Sequence, residues 1–408
     1  MATQSSHRGI AALRVPEIRW AFLGVAFFTF ASRAMAVVIA FQIYQRTQSA
    51  LALGWLGLAE AIPAICTAPF GGFVADHYNR QRVIKITRVV CFFCSLVLVI
   101  LSWETGAYSV VWFYLVILLF GFSRGFSDPA MTGFEAQIVP KELIVNAASW
   151  SGSAWISCSI VGPAAIGFVF EGYGAAVSYG VIALCFLLSY LSFLPIPPQK
   201  QIMPEKLEPV FESIRIGWRA LWNIKPLLGS MVLDLVAVFF GGVMILLPVY
   251  ASDILKTGAS GLGLLNAAPS VGALIVTLIA AAYPPNGKAG RNLLLVVTGF
   301  GLSIIVFALS RSMWLSLTML FLSGFFDGIS MIIRRTMIRL LSPDHLRGRI
   351  AAANSIFISG SNELGAFESG MLAALIGPVY CAAVGGFVTL FVVGFAAKYS
   401  KELRELEL

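Results

Sequence analysis

Long apolar runs separated by short polar clusters dominate this chain. Between Glu142 and Glu171 lie 28 uncharged residues; 28 more separate Glu171 from Lys200, 31 separate Lys256 from Lys288, and 29 separate Glu368 from Lys398. A helix of roughly 20 apolar residues crosses a hydrocarbon core about 30 Å thick, so each interval is long enough for a crossing. Reading every run in this way predicts spans near 20–43, 51–75, 83–103, 109–128, 145–170, 174–195, 227–251, 258–283, 291–310, 313–333, 350–372 and 376–397. The expected fold class is an all-α polytopic membrane protein with twelve transmembrane helices.

Composition agrees with that pattern. Hydrophobic residues make up 58% of the 408 residues and charged residues only 12%, with a mean hydropathy of +0.86. A soluble chain carries about 25% charge, so there is too little polar surface here to coat a water-facing body. Twelve spans consume about 240 residues, which leaves short loops and no large extramembrane domain. All six cysteines (Cys66, Cys91, Cys94, Cys158, Cys185 and Cys381) fall in apolar stretches, where cysteine acts as a small hydrophobe. The three histidines, His7, His77 and His345, lie in polar segments, so neither a metal site nor a cofactor is expected. The first 19 residues are too polar, and the first apolar run too long, for a cleavable signal peptide.

Charge then sets the orientation. Segments on the N-terminal side of the membrane, from Arg8 through Arg80, Arg82, Lys85 and Arg88 to Arg334, Arg335 and Arg404, hold 23 of the 28 basic residues. The opposite side holds Arg46, Lys256 and Arg311, while Arg33 and Arg124 lie within spans. By the positive-inside rule both termini are expected in the cytoplasm. The formal charge of +8 thus reports topology, and nucleic acid is not an expected partner.

The chain also repeats itself. Gly121, Phe122, Gly125, Ser127, Pro140 and Leu143 recur, 203 residues later, as Gly324, Phe325, Gly328, Ser330, Pro343 and Leu346. Glu60-Ala-Ile-Pro63 is echoed by Asn266-Ala-Ala-Pro269 at an offset of 206. Two six-helix halves are expected, residues 1–197 and 226–408, joined by a linker over 198–225. Such repeats place a solute site between halves near the midplane and let one half rock against the other. In the linker, Leu207, Val210, Phe211, Ile214, Trp218, Leu221 and Trp222 share a face opposite Glu208, Glu212, Arg215 and Arg219. That pattern predicts an amphipathic helix lying in the cytoplasmic interface.

Between the second and third spans runs Gly72-Phe-Val-Ala-Asp76-His-Tyr-Asn-Arg80-Gln-Arg82. Its glycine suits close helix approach, and its acid and arginines suit charge-assisted bonds to helix ends. This loop resembles the signature of the major facilitator superfamily. The matching loop, Pro284-Pro-Asn-Gly-Lys288-Ala-Gly-Arg291, lacks the acid. Leu58-Ala-Glu60-Ala-Ile-Pro63, Leu233-Asp234, Gly241-Gly, Leu346-Arg-Gly-Arg349 and Ser361-Asn362-Glu363-Leu-Gly365-Ala-Phe-Glu368-Ser-Gly370 look like the enterobactin-exporter-like branch of that superfamily, whose neighbours are macrolide and multidrug efflux pumps. The resemblance covers essentially the whole chain. It implies a proton-driven exporter of the bacterial inner membrane, with a catecholate siderophore as the favoured cargo. Gly162-Pro163 and Gly167 resemble the antiporter signature of span five, although Cys158 stands where a glycine is expected.

Ionisable groups inside the bilayer cost at least ~2.5 kcal/mol each on insertion scales and are functional candidates by default. They are Arg33 (span one), Glu60 (two), Arg124 and Asp128 (four), Asp234 (seven), Asp327 (ten), and Glu363 and Glu368 (eleven). Superfamily geometry implies that Arg33, Arg124, Asp234 and Asp327 line a central cavity. Arg124 and Asp327 are counterparts at the offset of 203, so a gating pair or a static bridge between them is expected. Asp234 and Glu363, nearest mid-span, are the first candidates for carrying a proton, with Glu60 and Glu368 next. Aromatics such as Trp20, Trp55, Trp155 and Phe239 could stack on a ring-rich solute.

Enzyme readings fare worse. Gly121-Phe-Ser123-Arg-Gly125 has nucleophile-elbow spacing, and Gly258-Ala-Ser260-Gly261 resembles an intramembrane-protease serine, but no histidine lies in any span to serve either as base. No phosphate loop is present, so ATP is not the expected energy source. The expectation is a monomeric exporter of a small aromatic-rich organic solute against protons. A broad multidrug or macrolide pump and a non-transporting receptor or scaffold are the alternatives.

Overall fold

The computed structural model describes residues 11–103, 109–199, 210–282, 287–343 and 346–407. The linker residues 200–209, residues 284–286 of the second loop, and His7 and His345 lie outside them.

The chain folds into helices joined by short turns, with no strand among the described residues. The first half contains α1 (Pro16–Thr47), α2 (Ala50–His77), α3 (Arg80–Trp103) and α4 (Val110–Ile138). The helical stretch Ile144–Ser192 follows and breaks at Gly174, whose φ of +81° is open to glycine but strained for other residues. The break yields α5 (144–173) and α6 (175–192). The second half contains α7 (Val210–Asn223), α8 (Lys225–Gly241), α9 (Gly258–Ala282), α10 (Ala289–Leu309), α11 (Met313–Leu341), α12 (Arg347–Ile376), α13 (Pro378–Tyr399) and the short α14 (Lys401–Arg404). Ten segments among the described residues are long and apolar enough to cross a membrane. One of them holds both α5 and α6, and α12, though more polar, reaches 30 residues. The protein is therefore an all-α polytopic membrane protein with twelve spanning helices, and α7 and α14 are additional to them.

The described residues of Met1–Arg46 and Ala59–Lys206 form one compact unit; those of Thr47–Leu58 and Leu207–Leu408 form the other. Each is packed in the same way internally. In the first, α3 lies against α4 and the α5–α6 stretch; in the second, α10 lies against α11 and α13. Glycine sets the closest approaches. A Cβ on Gly121 of α4 would stand 2.1 Å from the carbonyl oxygen of Glu60 in α2, and one on Gly324 of α11 would stand 2.0 Å from that of Pro269 in α9. Helix backbones can touch at such points only because nothing projects between them. The expected glycine of the loop motif, Gly72, plays no such part, since a Cβ there would meet open space. The close contact falls one residue earlier, where Gly71 meets the carbonyl of Gly125.

Local chemistry explains several helix ends. Asn79 caps α3 by accepting the Arg82 backbone N–H at 3.0 Å. Buried Gln42 of α1 donates to Ser102 of α3 at 2.9 Å and accepts from Tyr179 of α6 at 3.0 Å, which satisfies polar groups that hydrocarbon could not. Span seven is discontinuous. α8 ends at Gly241, Gly242 leaves helical geometry, and the chain goes on through a 3-10 turn and a π turn to Ile254. The amphipathic α7 is fully buried at Leu221 and exposed at Trp222. It docks on α12, where a Cβ on Gly217 would lie 2.5 Å from the Arg349 carbonyl.

Candidate functional site

Two clusters of charge are built into the spanning helices, one in each half. In the second half, α8 carries Asp234 into the packed interior, where its side chain is only 8% exposed. α11 runs alongside with Asp327 and Arg334 seven residues apart, two turns on one face. The Arg334 guanidinium, 7% exposed, bonds Asp234 through Nη1 and reaches towards Asp327 Oδ1 through Nη2 at 3.8 Å. Asp327 is about half exposed. Burying a charge is tolerated only with a bonded counter-charge, and here each buried member supplies the other's. The Nε–H of Arg334 and the hydroxyl of Ser330, one turn away, find no hydrogen-bond acceptor or donor among the described residues. A void of about 10 Å³ lies beside Asp234 and Asp327, against Ser330, Phe300 and Phe326. It has room for about one water molecule, so a solute must bind elsewhere.

The first half holds a more open version. Arg124 of α4 donates to Glu60 of α2 at 2.5 Å and lies 3.8 Å from Asp128, one turn further on. Its side chain is 38% exposed. Gly121, three residues before Arg124, makes this possible by bringing α4 onto the backbone of Glu60. At the repeat offset the polarity is inverted. Asp327 stands where Arg124 does, Asn266 stands where Glu60 does, and the cation comes from Arg334 instead. Each member of the pair expected from sequence, Arg124 and Asp327, has an ion-pair partner within its own half.

The remaining candidates are placed as follows. Arg33 is exposed on α1 and its guanidinium stands 5.1 Å from the ring centre of Trp155. Glu363 and Glu368 are half-buried on α12, and Glu368 accepts a 3.4 Å hydrogen bond from Ser369. In the loop motif, Arg80 pairs with Asp76 at 3.2 Å and donates to the carbonyls of Ala75 at 2.9 Å and Gly133 at 3.0 Å. One guanidinium therefore pins the end of α2 to α4, while Arg82 is exposed. Among the described residues no three His, Cys, Asp or Glu side chains are arranged to hold a metal.

Sequence reasoning assigned Arg88 and Arg334 to the flanking segments, and both assignments are corrected by the fold. Arg88 is 1% exposed in α3, donates to Ser127 at 2.8 Å and lies 3.4 Å from the ring centre of Phe28. Arg334 is buried because α11 continues two turns past the predicted end of its span, to Leu341. The available signal was helical spacing: Asp327 and Arg334 lie seven residues apart, and so share a face once the helix is extended.

The sequence profile of the Major Facilitator Superfamily matches residues 21–359. Curated relatives include the enterobactin exporter EntS of Shigella flexneri, 27% identical over 382 residues, with 92% of this chain and 90% of the relative covered. The enterobactin exporter EntS of Escherichia coli strain E24377A is 27% identical over 383 residues, with the same coverage. Solved structures with the same fold include the POT family transporter PepTSo, at a TM-score of 0.77 and 14% identity over 95% of this chain and 98% of that one. A D-xylose–proton symporter aligns at a TM-score of 0.72 and 14% identity, covering 96% of this chain and 99% of that one.

Proposed function

Because this chain belongs to the Major Facilitator Superfamily and is therefore a membrane transporter, we propose that it exports an aromatic-rich organic solute, a catecholate siderophore, in exchange for protons. The observation that carries the cargo is similarity to enterobactin exporters over 92% of the chain. Coupling is supported by the Asp234–Arg334–Asp327 cluster.

In this reading Asp234 is the principal proton carrier. While both acids are ionised, Arg334 is shared between them. Protonating Asp234 removes the closer partner and leaves Asp327 as the remaining counter-charge, so the guanidinium shifts along α11. That changes the contact between α8 and α11 and gives the half two arrangements, as alternating access requires. The break after Gly241 lies seven residues beyond Asp234, and discontinuous helices of this kind mark binding regions in transporters. Glu363, Glu60 and Glu368 are secondary proton candidates, Arg33 and Arg124 present positive charge to an anionic cargo, and Arg124 and Asp327 gate. The excess of Lys and Arg on one side places both termini in the cytoplasm of a bacterial inner membrane, and the working unit is a monomer.

The test is transport of an apo-catecholate siderophore in inverted vesicles, wild type beside Asp234→Asn and Glu363→Gln. Gradient-dependent accumulation that is lost in Asp234→Asn, with Glu363→Gln active, supports siderophore antiport through Asp234. Loss in Glu363→Gln alone moves the proton to α12. Pumping of macrolides or cationic dyes without siderophore accumulation means multidrug efflux. Binding without accumulation, unaffected by collapse of the gradient, means a receptor.

A further inference from the structure

A cavity of about 590 Å³ belongs to neither charge cluster. It opens at one end of the second half, where the start of α10, the end of α13 and the tail after α14 meet. Gly290 creates the seam. Its N–H donates to the Leu406 carbonyl at 3.2 Å, and a Cβ there would stand 1.6 Å from the Leu403 carbonyl, so only glycine admits the tail.

The lining is polarised along its length. Lys288, Arg291 and Arg404 stand at the mouth together with Glu405 and Glu407. Arg404 is partly committed, to the Ala397 carbonyl at 3.2 Å and to Glu405 at 3.5 Å. Lys288 and Arg291 pair with no carboxylate among the described residues. Away from the mouth the wall turns apolar. Leu294, Leu295 and Thr298 climb one face of α10, facing Val393 and Ala397 of α13. From Arg291 to Thr298 this stripe rises about 10 Å, and Leu295 is 60% exposed along it.

We propose that this cavity binds an anionic phospholipid, its phosphate held by Lys288 and Arg291 at the mouth and an acyl chain laid along Leu294, Leu295 and Val393. The ligand has to be both anionic and apolar because the lining is charged at one end only. The host is a spanning helix bundle, so a lipid reaches the groove laterally. Basic pockets between spanning helices recognise acidic headgroups in this way. The N-terminus of α10, 21 residues long, adds its positive dipole end beneath the phosphate.

The test uses the full chain in a neutral detergent, titrated with phosphatidylglycerol and, separately, with phosphatidylcholine and inorganic phosphate, and read by native mass spectrometry and thermal melting. Phosphatidylglycerol should bind and raise the melting temperature. The Lys288→Ala/Arg291→Ala double variant should bind it roughly tenfold more weakly or worse, and Leu295→Trp should weaken it by filling the groove with the charge intact. Glu405→Gln/Glu407→Gln should tighten it, because these acids oppose the phosphate. Equal binding of phosphatidylcholine, unchanged binding by the Lys288/Arg291 variant, or an equal response to inorganic phosphate would each overturn the proposal. The readout involves no transport, so it stands or falls separately from the cargo.

Discussion

Two arginines in spanning helices face the same kind of partner and differ in burial, and burial decides what each is worth. Arg334 is 7% exposed against an almost equally buried Asp234. Removing one member of such a pair strands a charge and costs about 3–5 kcal/mol, whereas removing both is far milder. Arg334→Met should therefore lower the thermal stability of the purified protein sharply, and Arg334→Met/Asp234→Asn should recover much of the loss. A double variant no more stable than the single one would show that the pair is not the source. Arg124, 38% exposed against Glu60, is screened by solvent, so Arg124→Gln should cost less than about 1 kcal/mol by the same measurement. These residues also mark where the sequence was hard to read. An arginine at the end of an apolar run looks like a loop residue, and Arg88 and Arg334 look no different from exposed Arg82 until neighbouring helices are in place. Asp234 and Glu60 stood out in the sequence because a carboxylate in the middle of an apolar run needs a partner, and Arg334 and Arg124 supply it.

At the scale of helices, the sequence and the fold agree where the physics is one-dimensional. The length of an apolar run specifies a span, so all twelve could be read before any packing was known. What the runs conceal is how helices end and touch. α4 and α11 extend past their predicted ends, to Ile138 and Leu341, because a helix outlasts its apolar stretch whenever flanking polar side chains find partners. The break after Gly241 was concealed too, since glycine pairs are common within spans and only the neighbours distinguish a kink from a close contact. Gly121 and Gly324 are the clearest contacts, with carbonyls 2.1 and 2.0 Å from an added Cβ. Substituting alanine at either should force α4 from α2, or α11 from α9, and cost about 1–3 kcal/mol. Gly72→Ala, facing open space, should stay within about 0.5 kcal/mol of wild type. Size-exclusion profiles after graded heating would rank all three; a Gly72 variant as fragile as the other two would undo the argument.

For the whole molecule, the proposed topology has twelve crossings with both termini on one side, which the basic bias makes the cytoplasm. A fluorescent reporter that folds only in the cytoplasm should therefore be bright when fused after Leu408, and a phosphatase active only outside should be silent at the same junction. The reverse result would invert every loop. Moving Arg88 and Arg334 into the spans weakens the charge asymmetry only slightly, because most of the basic residues remain on that side.

Each cluster sets two carboxylates against a single guanidinium: Glu60 and Asp128 about Arg124, Asp234 and Asp327 about Arg334. With all groups ionised, the Asp234–Arg334–Asp327 cluster therefore carries one negative charge in excess, whereas in the first half the buried Arg88 of α3 adds a second cation beside Arg124. Moving one elementary charge through the membrane potential is worth about 2.3 kcal/mol per 100 mV, so in the proposed cycle the excess charge of the second half makes transport respond to voltage as well as to pH. On that proposal, the cluster with Asp234 protonated moves as a neutral body, and with both acids ionised it carries its charge through the field. Clamping vesicles with potassium and valinomycin at fixed pH on both sides should then still change the rate of the cycle, and neutralising Asp327 should flatten that response.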